Sequence, residues 1–464
     1  MMKKQLVVIG NGMAAMRALE TLLRHQQQEC YQITVFGEEP HENYNRIMLS
    51  PVLAGESQFE EIILNSREWY KQHNIRLFTQ DPVVCINRDN RTVSSMSGRL
   101  QHYDVLIIAT GSRPAHLGQP GEEMLGVTGF RTLADVDKMQ EYAKKGGHAV
   151  VVGGGLLGLE AAAGLAGQGM RTTVLHRSGW LLNRQLDQAS ASLLQQKLAQ
   201  RGINFLLKRQ IAKIQGRYPH ISQTMSGSPQ EHLAVDSRLH VSGLKLDDGL
   251  HLPCDLLVIA AGITPEIRIA KASGLNCERG IIVNDQLQSS DPSIYAIGEC
   301  SQHRGQCYGL VAPIWEQAEV LGKHLAQLEQ LNPSTSMPSG YNSTPPSYEG
   351  TQTATRLKIS GIDLFSAGEI NPAPDSGAET LLLQDHKRQV YRKLILRNNR
   401  LTGVVFYGDV SDGNWYFKLL QAGRDLSPIR TSLMFGEALN KQKVDQLQLL
   451  QPEQPQVSLT TEAA

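Results

Sequence analysis

Four short, uninterrupted apolar runs end in glycine along the chain: Leu6–Gly10, Val105–Gly111, Ala149–Gly153 and Leu256–Gly262. Runs of Val, Ile and Leu with no polar alternation predict strands buried on both faces, as in a parallel sheet covered by helices. Ile33–Gly37 and Thr172–Leu175 read as further strands. Downstream, Tyr391–Leu396 and Leu401–Tyr407 flank a polar turn at Arg397–Arg400, which predicts an antiparallel hairpin in a different kind of domain. A Pro-, Ser- and Thr-rich stretch at Asn332–Ser347 reads as a linker, Gly216–Ser242 as an exposed hairpin expansion, and the Gln-rich chain from Lys441 as a frayed tail.

At 464 residues the chain has room for about three domains. Lysines plus arginines equal aspartates plus glutamates at 45 each, so there is no general attraction for nucleic acid or an anionic membrane. No apolar run is long enough to span a bilayer, and the start Met1-Met2-Lys3-Lys4 leads directly into a strand, so the expectation is a cytoplasmic protein. The six cysteines have no Cys-x-x-Cys spacing, which argues against a zinc ribbon, a redox dithiol or an iron–sulfur cluster; no metal site is expected.

Two of the runs open into glycine fingerprints, Gly10-Asn11-Gly12-Met13-Ala14-Ala15 and Gly153-Gly154-Gly155-Leu156-Leu157-Gly158. In such a turn the first glycine makes the bend, the second lets the backbone approach a pyrophosphate, and a small third residue allows close helix–sheet contact. Gly10, Gly12 and Ala15 fill these roles in the first copy, and Gly153, Gly155 and Gly158 in the second. Two dinucleotide sites are therefore expected. Glu38, at the end of the strand after the first fingerprint, is placed to accept ribose hydroxyls. The corresponding strand of the second unit ends in His176-Arg177, both expected to bind the cofactor, with His176 facing the ribose; no carboxylate there repels a 2′-phosphate, and Arg177 could pair with one.

Ala109-Thr110-Gly111-Ser112-Arg113-Pro114, Ala261-Gly262-Ile263-Thr264-Pro265 and Ile294-Tyr295-Ala296-Ile297-Gly298-Glu299 resemble, in order, motifs of the two-dinucleotide-binding flavoprotein reductases. Tyr44–Glu56, Tyr308–Pro313 and Leu401–Asp409 are similar to the FAD-binding N-terminal part of NAD(P)H nitrite reductase large subunits, and the chain as a whole also resembles rubredoxin reductases. The resemblance implies an α/β fold with two Rossmann-like FAD- and NAD(P)-binding domains and a C-terminal α+β domain. The implied boundaries are 1–118 with 248–328 for FAD, 119–247 for NAD(P), a linker at 329–347, the third domain at 348–440 and a polar tail at 441–464.

By the same resemblance Glu38, Arg46, Val83, Thr110, Gly111, Gly262, Gly298 and Glu299 hold FAD, and the helix starting near Pro313 and Ile314 aims its N–H groups at the flavin. Glu160 matches an acid that reaches the nicotinamide carboxamide. The implied reaction is hydride transfer from NAD(P)H to flavin N5, with no catalytic side chain, followed by electron delivery to a redox partner protein carrying metal centres. With no cysteine after Cys307, those centres are expected on another chain, making this an electron-transfer subunit for assimilatory nitrate or nitrite reduction. A rubredoxin or ferredoxin reductase, a non-catalytic FAD/NAD redox sensor or scaffold, and a homodimer stay open.

Overall fold

A computed structural model describes residues 3–26, 30–218, 238–330, 345–359 and 361–451. Most of the Gly216–Ser242 expansion and of the linker lies outside these residues, as does the tail beyond 451. The chain divides into two compact units, Met1–Leu117 with Gly129–Glu141 and Ile259–Thr351, and Gly118–Thr128 with Tyr142–Val258 and Gln352–Ala464.

In the first unit five parallel strands stand in the order Ile294–Ala296, Val105–Ile108, Lys4–Ile9, Tyr31–Phe36 and Arg76–Phe78. Leu6, Val7, Val8, Leu106, Ile107 and Ile108 are wholly buried in this sheet, which is why the runs carry no polar alternation. The helix Met13–His25 returns from the first strand and crosses the helix Val311–Gln330 closely. A Cβ on Gly322 would stand 2.6 Å from that of Thr21, so only glycine permits the approach.

The second unit holds a parallel sheet in the order Val127–Thr128, Leu256–Ile259, His148–Val152, Arg171–His176 and Ile203–Leu207. It also holds the antiparallel sheet Ala354–Ile359, Ile362–Gly368, Arg400–Tyr407, Val390–Arg397 and Glu379–Asp385. The units are drawn differently from the expected domains. Residues 129–141 group with the first unit, 248–258 with the second, and the C-terminal sheet joins the second. The tail is also shorter than expected, because Glu437–Gln446 forms a helix that buries Val444, with Leu449 following it into the same core.

Asp187 ties the C-terminal sheet to the second parallel sheet's helices. It caps the helix Gln188–Ala199 through the Ser190 N–H at 3.0 Å, and accepts from Tyr391 Oη at 2.5 Å and Lys393 Nζ at 2.9 Å. Burial pushes this carboxyl up, but Ser190, Tyr391 and Lys393 outweigh it, leaving it below the usual carboxylate range. A depressed native pKa supplies stability above the unfolded value of about 3.9, and that stability is lost as pH falls through the native value. Asp187→Ala would strand a buried ammonium and phenol, a loss of about 3–5 kcal/mol. Hydrogen exchange of the Val390–Arg397 and Arg400–Tyr407 strands at neutral pH should accelerate sharply; unchanged protection would refute the anchoring role.

Candidate functional site

Both fingerprints fold the same way. Gly10 and Gly153 have φ of +108° and +126°, and each donates its N–H to a carbonyl at or next to the end of the next strand, Phe36 at 2.8 Å and Leu175 at 2.9 Å. At Gly10 the demand is absolute: an added Cβ would lie 2.2 Å from the Ala109 carbonyl oxygen. Gly12 and Gly155 then cap the helices Met13–His25 and Leu156–Gly167 with extended backbone, and space is open where a Cβ would point. Neither helix has a side-chain cap or an acid in its first turn, in contrast to the helices capped by Ser66 and Asp187. Uncapped N–H groups behind an open approach form a cradle for phosphate.

Around the first cradle, Gly298, at φ +82°, packs against Ala14 of the fingerprint and donates its N–H to Gln317 Oε1 at 2.9 Å. Ala15 is buried in the core, as is Gly298. Glu299 follows with its side chain 13% exposed, paired with Arg131 and accepting from Ser112 Oγ at 2.8 Å. Gly111, at φ +67°, lies where a Cβ would come within 3.9 Å of Glu299 Oε2. Thr110 Oγ1 donates to the Glu266 carbonyl at 2.6 Å, and the Glu266 N–H returns to Gly111 O at 2.9 Å. Ser112–Pro114 pairs antiparallel with Ile263–Pro265, and Gly262 O accepts from Ala115 N–H at 3.0 Å, so two motifs distant in the chain form one clip.

Glu38 and Arg46 take different partners. The Glu38 side chain is 62% exposed and accepts from Arg113 at 3.1 Å, whereas Arg46 pairs with Glu39, which also accepts from Tyr44 Oη at 2.7 Å. Arg46 further donates to the Arg131 carbonyl at 2.8 Å, linking it to the Glu299 cluster. Burial raises the Glu266 carboxyl, but Arg268 and Arg113 overcome this and bring it down to about 2, so it stays ionised at neutral pH, balanced by the two guanidiniums it pairs with. Val83 is buried at the start of the strand Val83–Asn87; Pro313 is buried and Ile314 half-buried in the first turn of Val311–Gln330.

In the second unit Gly158 is buried against the sheet and Glu160 is half-buried one turn into the helix. Arg177 is exposed. His176, half-buried, has its Nδ1 accepting the N–H of Gly154 at 3.1 Å.

Arg131, Ser112, Glu39 and Tyr44 were not singled out from the sequence. Arg131 fell inside the segment expected to bind NAD(P), yet it reaches Glu299 of the first unit. One local signal was available: Thr132-Leu133-Ala134-Asp135 is a capping box, with Asp135 Oδ2 accepting from the Thr132 N–H at 2.9 Å and Thr132 Oγ1 from the Asp135 N–H at 3.2 Å. It fixes Arg131 just outside a helix start, where Asp135 also receives its N–H at 3.0 Å.

Residues 4–320 match the family model described as pyridine nucleotide-disulphide oxidoreductase, and 354–424 that of the rubredoxin NAD+ reductase C-terminal domain. The chain is 43% identical over 425 residues to a nitrite reductase [NAD(P)H] of Bacillus subtilis, covering 92% of this chain and 48% of that protein. It is 40% identical over 437 residues to the assimilatory nitrate reductase electron transfer subunit of the same organism, covering 94% and 52%. It thus spans about half the length of these relatives. A ferredoxin reductase structure from Rhodopseudomonas palustris shares the fold at a TM-score of 0.75 with 22% identity, over 92% of this chain and 96% of that one. With its twin glycine turns and a match that runs through both parallel sheets, the chain belongs to the pyridine nucleotide-disulphide oxidoreductase family.

Proposed function

We propose that the chain is an FAD-dependent NAD(P)H oxidoreductase that feeds electrons to a partner protein carrying metal centres, as the input component of nitrate or nitrite reduction. The observation that carries this reading is the pair of uncapped, acid-free helix starts behind glycine turns, one accompanied by the half-enclosed Glu299–Arg131–Ser112 cluster. The residues present fit a dinucleotide at each turn: phosphate meets N–H groups and no negative charge in the first turn. In the first unit Glu299 is placed to accept sugar hydroxyls, with Arg131 and Arg46 supplying positive charge for the pyrophosphate. Glu38, exposed beside Arg113, is placed for the adenosine ribose. In the second unit Gly155 and the helix behind it take the NAD(P)H phosphates, and Glu160 and Arg177 take the carboxamide and the 2′-position.

A bound flavin would accept a hydride and release electrons singly, so no side chain need act as acid or base. What the protein supplies is orientation and charge. The names of the two Bacillus subtilis relatives support a nitrogen-oxide partner. A rubredoxin or ferredoxin carrier is the second reading, favoured by the match of residues 354–424.

The purified protein should be yellow with about one FAD per chain, carry no iron, and reduce an artificial dye with NAD(P)H. Adding the metal-centre component of a nitrite or nitrate reductase should support NAD(P)H-dependent turnover that rubredoxin does not. Turnover with rubredoxin alone would select the second reading. A preparation that binds flavin but reduces no dye would overturn the enzymatic proposal.

A further inference from the structure

The middle residue of the second glycine turn is held from both sides. His176 Nδ1 accepts the Gly154 N–H at 3.1 Å, and the Gly154 carbonyl accepts the Leu182 N–H at 2.8 Å. A Cβ on Gly154 would lie 2.8 Å from both Cγ and Cδ2 of the imidazole, so the bare Cα is what admits the ring. The His176 carbonyl accepts in turn from the Arg209 N–H at 3.2 Å, which fixes the strand end that carries the ring. Gly153 and Gly155 are engaged differently, the one making the bend and the other capping the helix. Holding Gly154 therefore sets the distance between bend and cap, and with it the aim of the helix N–H groups.

We infer that His176 is a positioning residue: its imidazole locks Gly154 so that Gly155 and the helix start receive the dinucleotide pyrophosphate. This rests on the reading of the second unit as the NAD(P)H site. Only the neutral tautomer with its lone pair on Nδ1 can accept; a charged imidazole has donors on both nitrogens and would set one against the Gly154 N–H. Burial lowers the ring's pKa most, Asn183 and the Trp180 backbone pull it back up, and Arg177 lowers it further, leaving it below the ordinary value. Lys208 and Arg209 lie on the segment after Ile203–Leu207 and are tied elsewhere. The Lys208 N–H donates to Ser178 O at 3.2 Å, and the Arg209 side chain is held by Asp248 at 2.8 Å. With its pKa held below the ordinary value the ring stays neutral at pH 7, and the lock weakens only on acidification.

The test is calorimetric titration of the FAD-loaded protein with NAD+, which has no group of its own titrating between about pH 5 and 8 and does not reduce the flavin. Wild-type affinity should be flat from pH 8 to 7 and fall severalfold toward pH 5. His176→Leu removes the acceptor and should weaken NAD+ binding about tenfold at pH 8, with no further fall on acidification beyond that of the protein at large. His176→Asn keeps an oxygen acceptor near the position of Nδ1, and should restore most of the affinity while staying independent of pH. FAD content should be unchanged in both variants. If His176→Leu bound NAD+ as wild type does, or kept the wild-type pH profile, the positioning role would be overturned while the nucleotide site stood. If wild type bound neither NAD+ nor NADP+ at pH 8, both would fall.

Discussion

Replacing Gly155 by Asp is expected to leave FAD bound and to weaken NAD(P)H at least a hundredfold. The backbone there is extended, with φ −86° and ψ −174°, which any residue adopts, and no atom stands within 4 Å of where the Cβ would be. Asp is moreover a favoured N-cap, worth about 1 kcal/mol to a helix that now has no side-chain cap, so the fold has no reason to suffer. The cost falls entirely on the ligand. The carboxylate takes the N–H groups a pyrophosphate would use and faces it as a like charge, about 4 kcal/mol at 4 Å and an effective dielectric of 20, nearly a thousandfold. Stopped-flow reduction of the flavin across a range of NADH and NADPH concentrations measures the loss. Loss of FAD with normal reduction of whatever flavin remained would mean that the two sites have been assigned the wrong way round.

How much of this was legible in the sequence follows from how local each feature is. The parallel strands were readable because strands covered on both faces tolerate only apolar side chains, and Leu6–Ile9 and Leu106–Ile108 are indeed fully or almost fully buried. The glycine turns were readable because a positive φ and a close carbonyl leave one residue type. The Arg131–Glu299 pair was not readable, since its members are 168 positions apart and the chain leaves and re-enters the first unit between them. His176 looked like an open strand end because nothing in its neighbours announces that Gly154 turns its N–H back toward it. The chain after Lys441 looked unstructured because, in a run of Lys, Gln and Asp, few positions are apolar; among the described residues Val444 and Leu449 are the ones it buries in the core of the C-terminal sheet. Asp187 drew no notice in the sequence, because its Tyr391 and Lys393 partners lie more than 200 residues on.

The counterpart substitution in the first unit separates cofactor effects from fold effects. Gly12 caps its helix with φ −89° and ψ 179°, again with open space where a Cβ would point, so Gly12→Asp should give a folded, colourless protein whose affinity for added FAD is down a hundredfold or more. Its unfolding temperature without FAD should match that of wild type stripped of FAD. NAD+ should still bind its second unit, because nothing there has changed. Gly10→Ala should behave otherwise, although its side chain is smaller. At φ +108°, with the Ala109 carbonyl oxygen 2.2 Å from the new Cβ, the strand-to-helix turn itself must move. That variant should lose FAD and thermal stability together. The contrast is the informative result: if Gly12→Asp destabilised the flavin-free protein as much as Gly10→Ala did, its loss of colour would reflect a damaged fold, and the open face of the first turn could no longer be assigned to the phosphates of FAD.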